Sequence, residues 1–170
     1  MREFVAVDVA TAGERAAGRA PSHLTLRFLG EVTLEQQAWV RARLAEVAAA
    51  CRPFVMRLEG VGAFPSPAHP RVVWLGVTDG RAEIDDLARR VRAALEPMFG
   101  PDRDVFVPHL TLWRVRSPAD RRAAEEILGG LRPIPPARDV PVHELLLKES
   151  VLGPRGAEHR TLASLRLGVP

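Results

Sequence analysis

The chain has 170 residues, 46% of them hydrophobic and 26% charged, with a net charge of +3 and a pI near 10.3. That length fits one domain that buries a core without disulfides or metals, and the single cysteine, Cys51, excludes an internal disulfide framework. Apolar runs such as 72–77 are far short of a membrane span, and "MREFVAVDV" lacks the features of a signal peptide, so a cytoplasmic protein with no membrane partner is expected.

Residues 3–9 read as a strand, and "HLTLRFL" at 23–29 as a second, alternating around its leucines. The stretch between them, 10–22, has room for at most a short helix. Thr33 caps the next helix, with Gln36 completing a capping box, and Val40, Leu44, Val47 and Ala48 share one face. Residues 54–61 and 71–77 are strands three and four, joined by the turn-rich loop "GAFPSPAHP". Ile84, Leu87, Ala88, Val91 and Leu95 mark a second helix, which Pro97 and Gly100 end. Residues 105–113 form the fifth strand. Ser117 before Pro118 opens a helix that stops at Gly129-Gly130. Residues 132–141 read as a surface connector, and 143–152 and 161–167 as the last strands.

The tetrapeptide His-Leu-Thr-Leu occurs at 23–26 and again at 109–112, 86 positions on, in a chain with five histidines. The spacing after each copy is similar: Phe54 lies 31 residues beyond His23, and Val142 lies 33 beyond His109. The expectation is one bilobal domain from an internal duplication, with approximate halves 1–70 and 71–170.

In a strand, residues i and i+2 point the same way. His23, Thr25 and Arg27 therefore share a face, with Leu24, Leu26 and Phe28 behind. His109, Thr111 and Trp113 share the corresponding face, with Leu110 and Leu112 behind. Two imidazoles facing across a cleft suit in-line cleavage of a phosphate ester. One accepts a proton from the attacking oxygen and the other donates to the leaving oxygen. Their ring nitrogens need to be roughly 5–8 Å apart. The threonine hydroxyls can donate to the non-bridging oxygens. No metal or cofactor is called for, and no C-x-x-C, H-E-x-x-H, P-loop or G-x-G-x-x-G is present. Cys51 reads as a buried thiol. Phe28 and Trp74 read as core residues, while Trp113 fits packing and base stacking equally.

With both motifs in view, the chain resembles the 2H phosphoesterase superfamily, and within it the RNA 2′,3′-cyclic phosphodiesterases, also called 2′-5′ RNA ligases. The resemblance runs through "FVAVDV", "HLTLRFLGEV", "GVGAFPSPAHPRVVWLGV", "FVPHLTLWRVR" and "LLLKESVLGPRGAEHRTLASLRL". It implies an α+β fold of two pseudo-symmetric lobes, each an antiparallel sheet lining a central cleft with helices outside. It also implies metal-independent opening of a terminal 2′,3′-cyclic phosphate to a 2′-phosphate, with 2′-5′ ligation as the related step.

The catalytic residues carried over are His23, Thr25, His109 and Thr111, with His109 as base and His23 as acid. An arginine after the second motif corresponds to Arg114, which simple alternation turns away from His109 unless a bulge intervenes. Arg27, Arg114 and Trp113 are the candidate substrate-binding residues. The implied partner is an RNA end or nucleotide bearing a 2′,3′-cyclic phosphate, met by a monomer. Two other readings stay open at this point. One is a module that binds RNA ends without turnover. The other is a phosphodiesterase for a different cyclic phosphate, such as ADP-ribose 1″,2″-cyclic phosphate.

Overall fold

Eight strands and three helices make up the described residues of the computed structural model, which are 2–9, 23–153 and 156–168. In chain order they are β1 (Arg2–Asp8), β2 (His23–Glu31), α1 (Leu34–Ala49), β3 (Phe54–Ser66), β4 (His69–Val77) and α2 (Arg81–Phe99). There follow β5 (His109–Arg114), α3 (Pro118–Leu128), β6 (Arg138–Val142), β7 (Glu144–Gly153) and β8 (Gly156–Arg166). The expectation for 10–22 lies outside the described residues. No helix among the described residues is long and apolar enough to cross a membrane.

The strands form two antiparallel four-stranded sheets, ordered β2-β1-β7-β8 and β5-β4-β3-β6. Each sheet mixes the two sequence halves, because β3 joins β4 whereas β7 and β8 return to β1. The two motif strands, β2 and β5, are edge strands, and they lie beside each other where the sheets meet. α1 rests on β7 and β8, α2 on β2 and β3, and α3 on β3 and β4, so the helices cover the outer faces.

Local sequence explains the helices. Thr33 and Gln36 form the expected reciprocal capping box, and Ser117, expected to open α3, forms a second one with Asp120. The expected apolar faces of α1 and α2 are the ones buried. Each large aliphatic side chain so buried contributes about 1.5–3 kcal/mol. Pro97 does not end α2; Gly100 does, taking the positive φ of 71° that other residues avoid. One continuous core joins Val5, Val7, Leu24 and Leu26 of the first sheet to Met56, Leu58 and Leu75 of the second through α1 and α2.

Three strand expectations are corrected. The "GAFPSPAHP" segment is mostly hairpin strand, with β3 running to Ser66 and β4 starting at His69. The fifth strand starts at His109, just after Pro108, which has no N–H to give a ladder. Part of the 132–141 connector is strand β6, in which Pro141 pairs with Val55. Because β6 is an edge, proline's missing donor is tolerated there.

Candidate active site

His23 and Thr25 of β2 and His109, Thr111 and Arg114 of β5 line one cleft of about 1310 Å³. The ladder register explains which neighbours join them. Along β2, Thr25 pairs with Ala6 and Arg27 with Val5, so Leu26 is passed over. Along β5, Thr111 pairs with Trp74 and Trp113 with Val73, so Leu112 is passed over in the same way. Each motif thus carries a β-bulge just after its threonine, and a bulge reverses the alternation beyond it.

The reversal corrects the assignment of faces. Arg27 pairs with the fully buried Val5 and is itself only 4% exposed. It still borders the cleft, but its guanidinium donates to the carbonyls of Arg92 and Gly100, at 2.6 Å each. Trp113 pairs with the buried Val73 and is outside the cleft lining. In their place, Arg114 pairs with Val72 and enters the cleft. Phe28, expected in the core, pairs with Phe4, is 71% exposed and lines the cleft. The asymmetry between the motifs is therefore an aromatic ring, Phe28, against a cation, Arg114.

Both histidines are braced by rings. His23 sits 4.9 Å from Phe4 and 4.8 Å from His159, the latter edge-on. His109 meets Phe64 edge-on at 4.9 Å, with Trp74 behind at 6.1 Å. His109 Nδ1 lies 2.7 Å from the Val107 carbonyl. A carbonyl only accepts, so Nδ1 carries the hydrogen and Nε2 of the neutral ring keeps its lone pair. Burial lowers the His109 pKa; the Val107 carbonyl works against this and the nearby Arg114 charge adds to it.

The cleft takes further side chains from outside the two motifs. His159 on β8 lines the cleft, and its pKa is lowered by burial, then by Lys148 and Arg114. The sequence carries a sign of it, since His-Arg-Thr-Leu at 159–162 repeats the His-x-Thr-Leu pattern a third time. Phe106 and the 89% exposed Val105 add an apolar rim, for which no sequence signal stands out. Cys51 is buried as expected, and burial raises its thiol pKa. Among the described residues, no three His, Cys, Asp or Glu side chains converge as metal ligands.

A curved two-sheet α+β fold, with a His-x-Thr pair from each sheet edge facing one cleft, defines a class of two-histidine phosphoester-binding proteins. More particularly, the model of the 2′-5′ RNA ligase superfamily matches residues 2–151, and the chain belongs to that superfamily. It is 37% identical to the RNA 2′,3′-cyclic phosphodiesterase of Archaeoglobus fulgidus, over 95% of this chain and 98% of that one. It is 35% identical to the protein of the same name from Aeropyrum pernix, over 85% and 81%. Among solved structures, TT0787 of Thermus thermophilus superposes with a TM-score of 0.74 at 29% identity, covering 99% of this chain and 98% of that one. LigT of E. coli complexed with 3′-AMP gives 0.71 at 25% identity, covering 98% and 97%.

Proposed function

We propose that this protein hydrolyses the 2′,3′-cyclic phosphate at an RNA 3′ end to a 2′-phosphate. The observation that carries the reading is the pairing of two His-x-Thr faces across one cleft, with the lone pair of His109 left available by the Val107 carbonyl. The names of the relatives point the same way.

In the proposed reaction, His109 Nε2 takes a proton from water as its oxygen attacks phosphorus. The bond from phosphorus to O3′ breaks, and protonated His23 gives its proton to O3′. The products are a 2′-phosphomonoester and a free 3′-hydroxyl. Thr25 and Thr111 hydroxyls and the Arg114 guanidinium hold the non-bridging oxygens as charge shifts onto them. Phe28 offers a face on which the terminal base can stack. An RNA 5′-hydroxyl in place of water gives a 2′-5′ linkage by the same proton transfers.

The test is incubation of a nucleoside 2′,3′-cyclic phosphate with the protein in EDTA, read by ³¹P NMR. The expected product is the 2′-phosphate alone, with a rate loss of about 10²–10⁴ in His109→Ala. Exclusive 3′-phosphate, full activity in that variant, or binding without turnover counts against the proposal. Turnover of only ADP-ribose 1″,2″-cyclic phosphate would keep the chemistry and replace the substrate.

A further inference from the structure

Strand β8 repeats the local architecture of the two motif strands. His159 pairs with Ser150 and Thr161 with Lys148, and Leu162 is then passed over before Ala163 pairs with Leu147. The third His-x-Thr-Leu copy thus has its bulge at the same place as Leu26 and Leu112. His159 and Thr161 fall on one face of β8, and His159 lines the cleft.

Lys148 and Thr161 form a chain of donors beside His159. Lys148, only 4% exposed, donates from Nζ to Thr161 Oγ1 at 2.9 Å. A hydroxyl that accepts from an ammonium keeps its own hydrogen for another acceptor. Thr161 is exposed and can offer it outward. His159 Nδ1 is buried with no partner among the described residues. The charged groups that act on His159 are Lys148 from β7 and Arg114 from β5, both cations, and both disfavour its protonation. Asp8 of β1 acts on Lys148 instead. A neutral imidazole and a polarised hydroxyl under the field of two cations form a setting that an oxyanion completes.

We propose that His159, Thr161 and Lys148 form a second phosphate subsite, which takes the phosphodiester joining the last two nucleotides of an RNA ending in a 2′,3′-cyclic phosphate. The proposal rests on the reading of the main site as a cyclic-phosphate site. The subsite makes the protein prefer an RNA strand end to a mononucleotide.

The test compares kcat/KM for a nucleoside 2′,3′-cyclic phosphate and for a dinucleotide with the same terminal nucleoside. Wild type is expected to favour the dinucleotide about tenfold, the scale of one hydrogen-bonded charge. Thr161→Val, isosteric at an exposed position, is expected to bring that ratio down about threefold or more, and His159→Ala, which also removes the ring beside His23, to lower both rates and the ratio with them. A wild-type ratio near one, or variants that keep the ratio, overturns the subsite. So does an equal loss on both substrates, which puts these groups at the reacting phosphate. Calorimetric Kd values for a dinucleotide 2′-phosphate and a nucleoside 2′-phosphate provide the same ratio without turnover. If neither cyclic phosphate is cleaved, the main reading fails while the Kd ratio still decides the subsite.

Discussion

His109 donates from Nδ1 to the Val107 carbonyl, while burial and Arg114 disfavour a second proton on the ring. A base works only when neutral, and a lowered pKa keeps it neutral to lower pH. The acidic limb of kcat/KM is therefore expected below the ordinary histidine value of 6.5. Arg114→Gln removes one of the lowering influences, so the limb should move up toward that value as the rate falls. A pH–rate profile checks this, and a limb that stays put or moves down would sink the assignment of His109 as base. Phe28 is the second residue to test. Stacking a base is worth about 1–3 kcal/mol, so Phe28→Ala should raise KM roughly 5- to 150-fold. Because the ring is exposed, stability should change by less than about 0.5 kcal/mol. A large stability loss with KM intact would return Phe28 to a packing role.

The motif strands owe their selectivity to bulges, and a bulge leaves no clear mark in composition or alternation. Up to Thr25 and Thr111 the period of two places every side chain as the sequence suggests. Beyond them the parity reverses, so Arg27 and Trp113 exchange places with Phe28 and Arg114. The helices, by contrast, were largely legible, because their signals are local: Thr33 and Gln36 cap α1, Ser117 opens α3, and the apolar faces marked for α1 and α2 are the buried ones. The sheet order was not, since which half each hairpin joins depends on partners far along the chain. Local crowding behind the second motif can be probed directly. A Cβ on Gly62 of β3 would collide with the Trp74 ring, which stands behind Phe64 and His109. Gly62→Ala should displace that ring, cost about 1–3 kcal/mol of stability, and lower kcat. Unchanged denaturation and kinetics would mean that Trp74 does not brace His109.

Neither sheet alone contains the proposed catalytic set, so on that reading the relative placement of the two edges governs the chemistry. A reciprocal pair of arginines spans them. Arg27 of β2 donates to the Arg92 and Gly100 carbonyls, while Arg92 of α2 donates from Nε to Leu26, the bulged residue, at 3.3 Å. Arg92 also donates to the Asp104 carbonyl at 2.9 Å, pairs with Asp102 at 3.3 Å and lies 5.1 Å from the centre of the Phe106 ring. The segment so held leads directly to Val107, whose carbonyl sets the tautomer of His109. One side chain therefore ties the strand of the first motif to the approach of the second. Arg92→Met should lower kcat about 10- to 100-fold, because misplacing a catalytic group by about 1 Å costs on that order. Arg92→Lys, a point charge that cannot donate in a fork, should recover only part. Loosening Val107 weakens the one contact that raises the His109 pKa, so the acidic limb should move further down in Arg92→Met. Calorimetric melting run beside the pH–rate profiles separates the roles. A variant that melts earlier but keeps the wild-type kcat and limb would show that the clasp holds the fold without aligning the two histidines.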